Sequence, residues 1–193
     1  MSGMSRRRAT IAGLATVGVA LGGVAISGGL VAQGADSPNK RLARATLSDA
    51  AGKKVGSVRF ERRGKSRALR VSVSVRGLSP GFHGFHVHTT GKCEAPGFMS
   101  AGPHLNPAKT SHGSHAGDMP PLLVTEGGKA EARFTTTRFS IAQLRDADGS
   151  AAMVHAAPDN SANIPKDRYD PDPDAMTLET GDSGPRIACG RVR

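Results

Sequence analysis

Short runs of alternating apolar and polar residues, separated by turn residues, fill this chain from residue 44 onward. Eight such runs occur, at 44–48, 54–62, 68–75, 81–88, 120–125, 130–136, 150–155 and 186–192. A period of two directs one face of a strand to the core and the other to solvent. Residues 126–129 form a hairpin signal, and residues 140–144 allow at most one helical turn. We therefore predict an all-β, immunoglobulin-like sandwich or Greek-key barrel of eight antiparallel strands.

Two long segments do not fit this strand pattern. Residues 89–119 and residues 156–185 are rich in Gly, Pro and polar side chains. Long loops within a domain of this size usually have a function. We therefore expect the functional residues to lie on these two loops and at the strand ends beside them.

All seven histidines of the chain lie between His83 and His155. His86 and His88 are separated by one residue, so in a strand both imidazoles point to the same face. His83 has the opposite parity to His86, and we interpret it as a hydrogen-bonded structural histidine. Imidazoles with a nearby carboxylate are ligands that suit copper and zinc. Each cluster taken alone has an ordinary interpretation, since His-Val-His occurs in many strands and the segment 112–118 would also serve as a polar connection.

Five motifs of the chain resemble those of one enzyme family. GFHGFHVH, AGPHLNP, HAGDMP, VHAAPD and GPRIACG occur in this order between residues 81 and 190. They resemble the motifs of copper/zinc superoxide dismutases, and the resemblance extends from about residue 44 to residue 192. It implies an enzyme that disproportionates superoxide to dioxygen and hydrogen peroxide, with copper and zinc cations as cofactors. The implied ligands are His86, His88, His104 and His155 for copper, and His104, His112, His115 and Asp118 for zinc.

The resemblance also implies roles for residues around the two ions. His104 would bridge both ions and carry a proton, and Arg186 would dock the substrate anion. Asp159 would hydrogen-bond one ligand imidazole of each ion, and Cys93 would form a disulfide with Cys189. From the residues alone, Asp159 could be a turn residue, Arg186 a solvated side chain at a strand start, and the cysteines free thiols.

Two features depart from the family pattern. Only Gly113 and Ser114 separate the zinc histidines His112 and His115, so this loop is shorter than is usual in the family. Two histidines three residues apart can still chelate a tetrahedral ion. Glu179 stands where a lysine commonly helps to attract superoxide.

The first 35 residues have the layout of an export signal. Three arginines at 6–8 precede an uncharged apolar run at 11–31 and a small-residue segment at 32–35. We predict an export signal at 1–35, a flexible linker at 36–43 and the dismutase domain at 44–193. The three arginines also resemble the twin-arginine export signal. An uncleaved membrane anchor is the alternative, because the run is long enough to span a bilayer. Either outcome predicts an exported protein of the cell envelope, the periplasm or the extracellular space.

The charge of the chain favours an anionic substrate. The formal net charge is +10, which attracts anions. No nucleic-acid-binding motif accompanies it, so we expect superoxide as substrate and no nucleic acid as partner. The sequence leaves open whether the protein is a monomer or a homodimer. The competing function is that of a non-enzymatic copper- and zinc-binding envelope protein, which would be favoured if Arg186 pointed away from the copper ligands.

Overall fold

The computed structural model describes residues 41–169 and 172–193. The predicted signal at 1–35 and residues 36–40 of the predicted linker lie outside the described residues. The strands are β1 (Leu42–Ser48), β2 (Lys54–Arg62), β3 (Leu69–Arg76), β4 (Gly81–His83), β5 (Phe85–His88), β6 (Leu122–Val124), β7 (Lys129–Thr136), β8 (Ala151–His155) and β9 (Arg186–Arg191). The helices are α1 (Ile141–Leu144) and α2 (Ala175–Thr180), with 3-10 turns at Met99–Ala101 and Lys166–Arg168.

Seven strands form one antiparallel sheet, in the order β5-β8-β9-β1-β2-β3-β7, and β4 pairs with β6 in a second sheet. The last strand returns to lie beside the first, where Ser48 of β1 pairs with Cys189 of β9. A strand that returns beside the first member of a β-meander is the Greek-key connection. The predicted all-β fold class is therefore confirmed.

The prediction of a single strand at 81–88 is wrong, and the described residues contain nine strands instead of eight. The chain changes partners at Gly84, since β4 pairs with β6 while β5 pairs with β8. The backbone N–H of Gly84 donates to the Ala157 carbonyl (2.8 Å), and its own carbonyl accepts from the His155 N–H (2.9 Å). A side chain here would collide with the Ser183 hydroxyl, so glycine is required by packing.

The core lies on the inward faces of β1, β2 and β3, whose alternate residues are buried. Phe60 of β2 packs edge-on against Phe139, with ring centroids 5.8 Å apart. Burying one such side chain contributes roughly 1.5–3 kcal/mol. Phe139 is followed at once by a capping box in which Ser140 and Gln143 exchange hydrogen bonds at the start of α1. The segment after β7 is therefore anchored on the core.

Two further connections shape the loops. The predicted disulfide between Cys93 and Cys189 is present and joins the first long loop to β9. The second long loop contains α2, which the sequence interpretation did not predict. Asp174 caps this helix by accepting the Thr177 N–H at 2.8 Å. Among the described residues, no helix is long and apolar enough to cross a membrane.

Candidate metal centre

Four histidines converge on one side of β5. His86 and His88 point to the same face of β5, as their spacing predicts, and both are fully buried. The first long loop brings His104 alongside, where it forms an isolated bridge with His88. His155 ends β8, the strand that pairs with β5, and its Nε2 lies 3.4 Å from His88 Nε2. One ring nitrogen from each of the four residues lies within 4.8 Å of the others, so the group could hold a metal ion.

A second group lies on the other side of His104. His112, His115 and Asp118 follow each other in the first long loop, and together with His104 they too have ligand atoms within 4.8 Å of one another. Asp118 Oδ1 lies 2.8 Å from His104 Nδ1, 3.3 Å from His115 Nδ1 and 3.6 Å from His112 Nδ1. Three imidazole nitrogens and one carboxylate oxygen are a common donor set for tetrahedral zinc.

The unpartnered nitrogens of the two groups fit metal ligands. His86 Nδ1, His104 Nε2 and His112 Nδ1 are buried and have no hydrogen-bond partner within the described part of the chain. A buried polar atom without a partner costs about 1–3 kcal/mol. A metal ion would remove this cost by accepting the lone pair of each nitrogen. His104 belongs to both groups, with Nδ1 turned to Asp118 and Nε2 left without a partner.

The carboxylate of Asp159 links the two groups. Its Oδ2 accepts from His86 Nε2 at 2.6 Å, and its Oδ1 accepts from His112 Nε2 at 3.0 Å. These hydrogen bonds place the protons of both rings on Nε2 and leave Nδ1 available for a metal. Ser183 Oγ and the Ser161 N–H also donate to this carboxylate, at 3.2 and 2.6 Å.

The pKa of His112 is shifted in the opposite direction from those of His86, His88 and His155. Burial is the main reason that the pKa values of His86 and His88 are lowered, and it lowers the pKa of His155 to about 3. Burial also opposes protonation of His112, but the neighbouring carboxylates of Asp118 and Asp159 outweigh it and raise the pKa of that ring to about 9. The rings of His86, His88 and His155 are therefore neutral and ready to bind a cation at neutral pH, whereas His112 must release a proton to do so.

Arg186 stands beside the first group. This half-buried side chain donates from Nη1 to the Phe98 carbonyl and from Nη2 to the Gly102 carbonyl, each at 2.8 Å. After burial and neighbouring groups, its positive charge is a further cause of the lowered pKa of His88 and His155. The positive charge of the guanidinium therefore lies close to the rings of His88 and His155, where it can attract an anion.

The structure brings together all the sequence-predicted ligands, Asp159 and Arg186, and it leaves His83 outside both groups. The ring of His83 faces the His155 carbonyl (2.7 Å from Nδ1) and the Ser79 carbonyl (2.9 Å from Nε2), in line with a structural role. Sequence reasoning missed Gly102 and Ser183, and also Arg138, whose Nη1 donates to the carbonyl of His115 at 3.0 Å. The φ of +73° at Gly102 favours glycine at that position. The sequence around Arg138 contains no pattern that would have marked this residue.

The fold and the two histidine groups define a β-barrel protein with two adjoining groups of residues that could each hold a metal ion. The chain belongs to the copper/zinc superoxide dismutase family, since the family model described as "Copper/zinc superoxide dismutase (SODC)" matches residues 54–192. The expectations of an enzyme of this family and of copper and zinc as its cofactors are thereby confirmed.

Relatives of known name agree with this assignment. The chain is 37% identical over 180 residues to "Superoxide dismutase [Cu-Zn]" of Mycobacterium tuberculosis and of Mycobacterium bovis, covering 85% of this chain and 75% of each relative. Among solved structures, it resembles a SOD-like protein from Bacillus subtilis with a TM-score of 0.62 and 31% identity. That match covers 77% of this chain and 96% of the other.

Proposed function

We propose that this chain disproportionates superoxide to dioxygen and hydrogen peroxide through redox cycling of copper, with His104 as a zinc-bridged ligand. The observation that carries the proposal is the position of His104 between two groups of ligand atoms. Its Nδ1 faces the group that includes Asp118, and its Nε2 is buried without a partner among the described residues. An imidazole can serve two cations in this way only by giving up both ring protons.

The donor sets support one assignment of the ions. The group of four histidines offers only imidazole nitrogens and suits copper, which prefers nitrogen ligands. The group with the Asp118 carboxylate suits zinc. We assign copper to His86, His88, His104 and His155, and zinc to His104, His112, His115 and Asp118.

The reaction consumes two superoxide anions and two protons, and it yields one dioxygen and one hydrogen peroxide. Copper, when bound, supplies the one-electron redox chemistry, and zinc supplies a fixed positive charge. Arg186 attracts each anion and holds it beside the copper ligands, because its guanidinium is fixed by two carbonyl oxygens. At the stage of the cycle in which His104 Nε2 does not bind a cation, this nitrogen would hold a proton and pass it to the peroxide as that product forms.

The second candidate, a metal-binding protein without enzymatic activity, has less support. It would be favoured by an Arg186 turned away from the copper ligands. The guanidinium instead shares the carbonyl of Gly102 with the ring of His88. Arg186 thus stands beside the proposed copper ligands, and a protein that only binds metal would give this side chain no role.

We also propose that residues 1–35 export the protein and that residues 36–43 link this signal to the domain at 44–193. The Cys93–Cys189 disulfide supports an oxidising compartment. Determining the amino terminus of protein recovered from the envelope and from the medium tests this proposal. A new terminus near residue 36 is expected, whereas an intact segment 11–31 in membranes would favour an anchor.

The central test combines metal analysis with a superoxide-consumption assay on the mature protein. We expect one copper and one zinc per chain and activity that requires copper. Full metal content without superoxide consumption would favour the non-enzymatic candidate. Binding of only one metal per chain would contradict the bridged arrangement.

A further inference from the structure

Arg138 reaches the zinc loop, residues 109–118, from the barrel. It lies two residues beyond β7, and its backbone N–H donates to Thr136 Oγ1 at 3.2 Å. The next residue, Phe139, is buried against Phe60 in the core. The backbone that carries Arg138 is therefore fixed on both sides, although its own side chain is exposed.

The guanidinium of Arg138 faces three carbonyl oxygens of the zinc loop. Its Nη1 lies 3.0 Å from the His115 carbonyl, 3.2 Å from the Gly113 carbonyl and 3.4 Å from the Asp118 carbonyl. Two of these carbonyls belong to residues that we assign as zinc ligands, and the third follows the ligand His112. Hydrogen bonds from a charged donor are about twice as strong as neutral ones.

The hydrogen bonds that connect the zinc loop to the rest of the protein differ along its length. Its carboxyl end is tied to the strand that carries the copper ligands, since the Val87 N–H donates to the Gly117 carbonyl at 2.9 Å. Closer to His112, the backbone–backbone hydrogen bonds are internal, such as the one from the Ser114 N–H to the Ser111 carbonyl at 3.0 Å. Arg138 thus adds a connection to the barrel at the part of the loop that carries two of the zinc ligands.

A cavity beside the loop gives this connection a second consequence. The cavity has a volume of about 310 Å³, and its lining includes Arg138, His112, Asp118 and Asp159. Removing the long side chain would widen this space next to two zinc ligands. Water and competing chelators would then reach the ion more easily.

We propose that Arg138 is a positioning residue for zinc, which holds the carbonyls of the short loop so that His112, His115 and Asp118 stay converged. The inference rests on the zinc site proposed above. It assigns no contact between Arg138 and the ion. The arginine acts through the backbone, as residues beyond the ligands commonly do in metal sites.

The test compares Arg138→Ala, Arg138→Lys and the control Arg133→Ala, which removes an exposed arginine of β7. The measurements are zinc and copper content, the rate of zinc release to a colorimetric chelator, and the visible spectrum after cobalt replaces zinc. We expect Arg138→Ala to release zinc on the order of tenfold faster, with an altered cobalt spectrum and unchanged copper content. Arg138→Lys should restore part of the retention, because an ammonium can also donate to carbonyls, and Arg133→Ala should match the wild type.

Equal zinc release from Arg138→Ala and the wild type would overturn the inference and leave the zinc site intact. Equal acceleration of copper and zinc loss would also overturn it, because the arginine would then support the fold in general. A wild-type chain that binds no zinc would instead contradict the proposed zinc ligands, and this inference with them. Far-ultraviolet circular dichroism of each variant verifies that the barrel has formed.

Discussion

His88 and Arg186 share one acceptor, because the carbonyl oxygen of Gly102 lies 2.8 Å from His88 Nδ1 and 2.8 Å from Arg186 Nη2. One backbone atom therefore aligns the copper ligand that we propose with the side chain that we propose docks the substrate. A change that displaces this carbonyl would disturb both.

The first prediction concerns Gly102→Ala. The residue has a φ of +73°, and an added Cβ would lie 2.6 Å from Thr89 Oγ1. The loop must shift, and we expect superoxide consumption to fall about 10- to 100-fold, as small misplacements of catalytic groups can cause. Gly52→Ala is the matched control, since Gly52 has a φ of +79° but no atom within 4 Å of the new Cβ. Equal activity of the two variants would contradict the role of the shared carbonyl.

The second prediction concerns Arg186→Ala. Because the guanidinium is not among the ligands, copper and zinc content should stay at the wild-type level while the rate of superoxide consumption falls at least tenfold. The wild-type rate should also fall as ionic strength rises, since attraction is screened beyond about 10 Å at 0.1 M salt. Glu179→Lys should raise the rate for the same electrostatic reason. Arg76→Ala, which removes an exposed arginine of β3, serves as the control.

The third prediction concerns His104→Ala. The change removes a ligand from both ions and the proposed proton carrier, while three histidines remain for copper. Activity should therefore fall far more than copper content. Stopped-flow rates normalised to bound copper provide the measurement. Near-normal turnover per copper would sink the bridge assignment.

The fourth prediction concerns Asp159→Asn. This carboxylate accepts from a ring of each group, and an amide can accept only through its single oxygen. We expect zinc affinity to fall about 10- to 100-fold, measured by competition with a chelator. Ser183→Ala removes only one neighbouring hydroxyl and should cause a smaller loss. A larger effect of Ser183→Ala would contradict the linking role of Asp159.

The fifth prediction concerns the stability of the metal-free protein as pH changes. The pKa of His155 is lowered from 6.5 to about 3. Its contribution to the free energy of unfolding is therefore complete above pH 6.5 and decreases as pH falls toward 3. The pKa of His112 is raised to about 9. Its contribution to the free energy of unfolding is therefore complete below pH 6.5 and is lost as pH rises through 9. We expect thermal unfolding of the chelator-treated protein to show greatest stability near pH 6.5. If the stability of His112→Asn still falls as much as that of the wild type when pH rises through 9, the assignment of this loss to His112 would be refuted.

Much of the candidate site follows from strand parity and spacing. His86 and His88 share a face because alternate residues of a strand do so. His83 also lies outside both groups, although the parity argument for it assumed a single strand across Gly84. The break at Gly84 could not be predicted in this way, because alternation continues in the sequence across it. The contacts at Gly84 come from residues far along the chain, because its backbone bonds to His155 and Ala157 and the Ser183 hydroxyl leaves no room for a side chain.

Other features are invisible in the sequence for different reasons. Residues 156–185 are rich in Pro and Asp, so the pattern favours a loop, yet Asp174 caps α2 through Thr177. Arg138 approaches carbonyls that are 20 to 25 residues away in sequence, and backbone acceptors leave no residue pattern to detect. Contacts to backbone atoms depend on the folded path of the chain, and only the structure supplies that path.

The position of His104 between the two groups has a thermodynamic consequence. Two ions that share one ligand do not bind independently. If bound zinc changes the affinity for copper by a given factor, bound copper must change the affinity for zinc by the same factor. A chain loaded with one ion is therefore a distinct species with its own affinity for the other. Titrations of either metal should be fitted as a cooperative pair, and the order in which the ions are added should leave the final equilibrium unchanged.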